Sequence, residues 1–103
     1  MQTIIILLDP KKTENADLDL TYALPVRIEG YTDNKVYDNG YDYLENNILG
    51  VWLETENAAE NVGRVIELIK NERIVGNDLS KSAEIYVSEK ECAALGDCKQ
   101  VYP

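Results

Sequence analysis

Two hydrophobic periodicities alternate along this chain. Thr3 to Leu8, TIIILL, is an unbroken apolar, β-branched run closed by Asp9-Pro10. Such a run predicts a central strand buried on both faces. A polar stretch over 11–15 follows. Asp17 is then placed as an N-cap, with Leu18, Tyr22, Leu24 and Ile28 sharing one broad helical face and Gly30 ending it. Pro25 interrupts that face. It cannot donate to the carbonyl of Thr21, so it predicts a kink, or a fresh first turn with Pro25 at its start.

Tyr31 to Asn47, YTDNKVYDNGYDYLENN, has period-2 alternation around Asn39-Gly40. Asn-Gly is the strongest short signal for a two-residue type I′ hairpin, since both central residues need positive φ. In that hairpin Asp38 faces Tyr41, Tyr37 faces Asp42 and Val36 faces Tyr43. Asn46-Asn47 offers a second tight turn, which would pair 41–45 with the strand 48–55, ILGVWLET. There Val51 and Leu53 point to one side and Trp52 to the other. Asn57 and Glu60 form a capping box, and Val62, Val65, Ile66 and Ile69 follow at i, i+3, i+4 and i+7. This predicts an amphipathic helix over 58–72 with Ile66 in the core, broken at 75–78. Ala83 to Val87 reads as a strand. Ser88 and Glu91 predict a short helix through Leu95 that carries Cys92 as a small buried hydrophobe. Lys99 to Tyr102 reads as an edge strand stopped by Pro103.

The order strand, helix, strand, strand, helix, strand predicts one α+β domain over 1–103. Its arrangement is ferredoxin-like, βαββαβ, an antiparallel sheet with two helices on one face. The other face is expected to stay open unless a tail or partner covers it, and aromatic residues on it would mark an interface.

Charge narrows the choice of partner. The chain has 19 acids against 10 bases, a formal charge of −9. Nucleic acid and anionic membrane would both repel it, whereas a cationic partner would not. There is no histidine, which removes the usual general base near neutral pH and the commonest zinc ligand. Cys92 and Cys98 match neither a redox nor a zinc spacing. The start, MQTIIILLDP, lacks a positive n-region and meets Asp9-Pro10 too early for a secretion signal or a membrane span. A cytoplasmic protein with reduced thiols is the expectation.

No catalytic constellation emerges: the glycines are scattered singly, and acids such as Glu54 and Glu56 are too abundant for a pair to be informative. A calcium loop fails as well. With Gly40 at its sixth position, Lys35 falls at the first and Asn46 at the twelfth, where acids are needed. An enzyme, a cofactor and a metal are therefore not expected. What remains is the tyrosine and acid alternation. Tyr37, Asp38, Tyr41, Asp42, Tyr43 and Glu45 are the candidate partner-binding residues, since tyrosine gives large contact area with few rotors and carboxylates give strong acceptors. The plainer reading is tyrosines packed on neighbouring strands. The open sheet face and the loop 77–82 are alternative contact surfaces.

A first strand TIIILLDP, a central VYDNGYDY, then LGVWLET and SAEIYVS in a small acidic chain resemble bacterial immunity proteins of contact-dependent growth inhibition and other polymorphic toxin systems. The resemblance covers most of the chain in layout. It implies a cytoplasmic inhibitor that binds the C-terminal domain of a cognate toxin, a basic nuclease in many cases, and blocks its active site or substrate cleft. The competing expectation is a ferredoxin-like ligand-binding or regulatory module, which would show a pocket or a symmetric apolar sheet face.

Overall fold

The computed structural model describes residues 1–14 and 19–103; the expected N-cap Asp17, and Leu18 with it, lie outside the described residues. The fold is α+β. Its elements are β1 (Gln2–Leu8), α1 (Leu20–Tyr31), β2 (Val36–Tyr43), β3 (Leu49–Thr55), α2 (Ala58–Asn71), a small hairpin of β4 (Arg73–Ile74) and β5 (Asn77–Asp78), β6 (Ala83–Ser88) and β7 (Lys99–Tyr102). Five strands form one antiparallel sheet in the order β2-β3-β1-β6-β7. β7, the edge strand expected over 99–102, is a fifth strand beside the four of a βαββαβ arrangement, and the β4–β5 hairpin is an addition to the expected elements. No helix among the described residues is long and apolar enough to cross a membrane.

The β-branched run of β1 forms the centre of the sheet, and Ile4, Ile5 and Ile6 are all fully buried. Ile4, Ile6 and Leu8 join Leu49, Val51 and Leu53 of β3, Ile85 of β6 and the apolar stripes of both helices in one core. On α1 the stripe is Leu20, Leu24 and Ile28, spaced i, i+4, i+8. Tyr22 was expected on that face; with the stripe running through Leu20 it points outward and is exposed. Pro25 neither starts nor ends α1, which runs through it and ends one residue beyond Gly30.

The amphipathic spacing on α2 has the same kind of offset. Val62, Val65, Leu68 and Ile69 are buried, while Ile66 is only partly covered at the margin of the core. The Asn57 side chain caps the helix by accepting from the Glu60 N–H at 3.1 Å. At the other end Val75 and Gly76 both take left-handed φ to make the β4–β5 turn. The buried Asn77 amide donates to the carbonyls of Ile74 and Val75 there. Arg73 binds Glu14 at 2.8 Å. This contact, with the Asp78 N–H, holds the Glu14 carboxyl below its ordinary range.

The second sheet face is not open. The short helix expected from Ser88 through Leu95 does not form: residues 89–98 are an irregular connection that crosses this face, with a single 3-10 turn at Leu95–Asp97. The Thr3 Oγ1 donates to the carbonyl of Lys90 at 2.8 Å and accepts from the Ala93 N–H at 3.0 Å. The Trp52 indole N–H donates to the Ala93 carbonyl at 3.0 Å. Ala93 is therefore the residue this connection buries, whereas Cys92 is exposed with φ +46° and sits on no helix. The helix fails because the chain must hand its backbone groups to Thr3 and Trp52 instead of to itself. Gly50 is required beneath the indole, since a Cβ there would lie 2.6 Å from the Trp52 ring.

Two expectations follow from this packing. Leu68→Ala should lose about 2–5 kcal/mol in chemical denaturation, the usual range for a buried leucine, and Ile66→Ala clearly less; equal losses would mean that α2 is rotated from this placement. Thr3→Val keeps the shape but strands an N–H and a carbonyl of the 89–98 connection, at a cost of about 1–3 kcal/mol. Emission of Trp52, the single tryptophan, should shift to the red as the connection loosens. Unchanged stability and emission would show that Thr3 does not hold it.

Candidate functional site

Two buried threonines set where β2 begins. The Thr32 Oγ1 closes α1 by donating to the Ile28 carbonyl at 2.7 Å and accepts from the Val36 N–H at 3.3 Å. The Thr55 Oγ1 donates to the Lys35 carbonyl at 2.7 Å and accepts from the Asn61 amide at 2.8 Å. Asp33 and Asn34 turn the chain between them with φ of 55° and 61°, values that Asn and Asp adopt more readily than most residues. Val36 is buried, and every later residue of β2 is exposed.

Asn39-Gly40 is not a hairpin turn. β2 runs straight through it, with Asp38 opposite Leu53 and Tyr41 opposite Val51. Two residues on β2 thus stand against the single Trp52 on β3, which is a β-bulge, and Gly40 supplies its positive φ of 95°. The predicted pairs of Asp38 with Tyr41, Tyr37 with Asp42 and Val36 with Tyr43 do not form. The turn that joins β2 to β3 lies at Asn46-Asn47, with φ of 61° and 60°. Asn-Gly and Asn-Asn both allow left-handed backbone, and the longer pairing with the apolar β3 decides between them.

The bulge fixes which way each candidate side chain faces. Residues opposite one another in an antiparallel pair share a side of the sheet. Tyr41, opposite Val51, and Tyr43, opposite Leu49, therefore stand on the helix side, as does Asp38 opposite Leu53. Tyr37, opposite Glu54, and Asp42, opposite Gly50, stand on the other side. Glu45 is exposed in the turn. The six candidates thus divide between two faces, and no flat surface reaches them all. Tyr41 and Tyr43 meet edge to face, their ring centroids 6.2 Å apart, and remain 45% and 49% exposed.

β2 is an edge of the sheet, and its own side chains blunt that edge. The Gly40 N–H donates to Asp38 Oδ1 at 3.0 Å, and the Tyr43 N–H to Asp42 Oδ1 at 2.9 Å. Amides satisfied in this way, beside a bulge, are poor templates for an added strand. Contact through side chains is the chemistry the strand offers. Each carboxylate keeps acceptor capacity beyond its one backbone bond.

Beside Tyr43 lies an apolar cleft of about 220 Å³, lined by Leu8, Pro10, Thr13, Leu20, Tyr43, Asn47 and Leu49. Among the described residues that line it, Tyr43 alone has an ionisable side chain. Burial first, and then Asp97, pushes the Cys98 thiol above its ordinary range, which works against nucleophilic use. Among the described residues no cluster of Cys, Asp and Glu is arranged to hold a metal ion.

Sequence reasoning missed Tyr22 and Val26. Both are exposed on the outer side of α1, at 66% and 64%. Their i, i+4 spacing opposite the Leu20, Leu24, Ile28 stripe was the available signal. No family model matches this chain, and neither a curated protein nor a solved structure does.

Gly40→Ala should cost about 1–2 kcal/mol, the penalty for a Cβ in backbone of this hand. The neighbouring Asn39→Ala should cost little. Thermal or urea unfolding compares the two, and equal, small losses would mean that the bulge does not depend on the glycine.

Proposed function

We propose that this chain is an inhibitor that binds and neutralises a basic toxin domain, an immunity protein acting in the cytoplasm, and that β2 carries much of the contact. The observation behind this reading is the exposed Tyr41 and Tyr43 pair, flanked by Asp38, Asp42 and Glu45, on an edge where the amides of Gly40 and Tyr43 are already satisfied. Such a strand offers aromatic anchors and acceptors, and little else. The charge of −9 attracts a cationic cleft and speeds encounter with it. We read the fold as a ferredoxin-like βαββαβ unit to which β7 and the β4–β5 hairpin have been added. The toxin would be engaged as a protein, without cofactor, nucleic acid or membrane.

Because the candidates lie on two faces, the contact divides. Tyr41 and Tyr43 are its anchors on the helix side, with Asp38 beside them. Tyr37 and Asp42 join only if the strand edge enters a groove. A ligand-binding or regulatory module is the second reading, and the cleft beside Tyr43 is what favours it. That cleft, at about 220 Å³, is below the roughly 300–1,000 Å³ of ordinary small-molecule sites, whereas a groove of about 620 Å³ lined by Gln2, Ala58, Val87, Lys90 and Cys98 is within it. Volume does not decide between the readings, and the exposed tyrosines and acids of β2 carry the preference for a protein partner.

Co-expression with the proteins encoded beside its gene tests the proposal. A tight one-to-one complex with a basic toxin domain is expected. Within it, Tyr41→Ala or Tyr43→Ala should weaken binding by about 2 kcal/mol or more, roughly thirtyfold. Changes of Asp42 or Glu45 to the amide should mainly slow association and soften its salt dependence. Circular dichroism confirms that each variant folds. Affinity that moves by less than about threefold across all of them, less than a typical hot spot, would place the contact elsewhere.

A further inference from the structure

The large apolar side chains left exposed among the described residues are Met1, Tyr22, Val26, Tyr37, Tyr41 and Tyr43. Apart from Met1, all of them sit on α1 and β2, two elements that pack on each other at one edge of the sheet. Tyr37 stands on the opposite sheet face, and the other four gather on the two adjoining elements. Scattered exposed apolar residues are ordinary, but such a gathering on a small protein is not. The packing of α1 is complete without Tyr22 and Val26. Leu20, Leu24 and Ile28 fill the core, Thr21 and Pro25 are also buried, and Arg27 pairs with Glu72 beyond the end of α2. Tyr22 and Val26 lie one turn apart, on a ridge that faces away from the core formed by the described residues.

Charge says what fits there. Between Asp19 and Glu45 the chain has six acids, Asp19, Glu29, Asp33, Asp38, Asp42 and Glu45, of which Asp42 stands on the opposite sheet face, against the bases Arg27 and Lys35 and, from α2, Arg64 over the Tyr31 ring. Arg27 is already held by Glu72. An apolar centre with an acidic surround complements a partner of the opposite build, in which aromatic or aliphatic side chains are flanked by Lys and Arg.

We propose that α1 and β2 form one docking surface for a basic protein segment, with Tyr22 and Val26 of the helix acting alongside Tyr41 and Tyr43 of the strand. This rests on the reading of β2 as a docking strand given above and extends it to α1. It also selects a side. The partner lies on the helix side of the β2 edge, and Tyr37, on the opposite face, stays outside the contact.

The test needs no knowledge of the natural partner. A random peptide library displayed on phage is panned against the full chain, and the enriched peptides are synthesised and titrated by fluorescence anisotropy. Enrichment of sequences that combine Lys or Arg with aromatic or aliphatic residues is expected. The double variant Tyr22→Ser, Val26→Ser, whose positions are too exposed to disturb the core, and the single variant Tyr41→Ser should each weaken those peptides by about tenfold or more, while Tyr37→Ser leaves them within about twofold. The surface is overturned by a failure to enrich over a blank support, by enriched peptides without cationic residues, or by binding that survives the double variant. Peptide binding of the expected kind, with no complex formed by the proteins of the neighbouring genes, would remove the toxin and leave the surface. A toxin complex indifferent to Tyr22 and Val26 would do the reverse.

Discussion

Everything in this molecule depends on burying β1 from both sides. Ile4, Ile5 and Ile6 alternate across the sheet and none has access to solvent, so an amphipathic layer on one face cannot be sufficient. One side is covered by α1 and α2. The other is covered by a connection of ten residues, 89–98, fastened at Thr3 and Trp52. That cover is thin, and it works through hydrogen bonds to a buried threonine and an indole more than through bulk. It covers the part of the second sheet face over Thr3 and Ile5 and leaves Glu84 and Tyr86 there half-buried. The β2 edge, with the helix beside it, stays accessible.

The same constraint accounts for the bulge in β2. β3 is apolar toward the helices at Leu49, Val51 and Leu53, and a regular β2 would carry one parity of side chains along that side from end to end. The extra residue at Asn39-Gly40 changes parity midway. Val36 remains in the core, and Tyr41 and Tyr43 are brought to the helix side, where an unbroken strand would have sent Gly40 and Asp42. Asp38 and Asp42 meanwhile bind amides of their own strand. One insertion thus orients the tyrosines and lowers the capacity of the edge to recruit another strand.

Much of this was legible in the sequence. The unbroken run at β1, the alternation of Val51, Trp52 and Leu53, the Asn57 cap and the edge strand before Pro103 each signal their structure through local chemistry, and each formed. The failures share a cause. Asn39-Gly40 reads as a turn because its backbone preference is positive φ, and a bulge satisfies that preference equally well; only long-range pairing with β3 separates the two. Ser88 and Glu91 resemble a helix start, but Thr3, some ninety positions away in the chain, claims the backbone groups that a helix would use. On α1, a face drawn from Leu18, which lies outside the described residues, includes Tyr22, whereas the buried residues Leu20, Leu24 and Ile28 define a face that leaves Tyr22 out. The candidate residues of β2 were found from their types, whereas their division between two faces followed from the bulge and was not readable beforehand.

The central claim is that the β2 edge, on its helix side, is a contact surface for a basic protein. Nuclear magnetic resonance tests it most directly, by titrating the isotopically labelled chain with whichever basic protein domain co-expression recovers in complex with it. The expected result is that backbone signals of Tyr41, Tyr43 and their neighbours on α1 shift or broaden first, while those of Trp52, Tyr86 and the 89–98 connection hold still. Perturbations confined to that connection and the sheet face beneath it would contradict the claim.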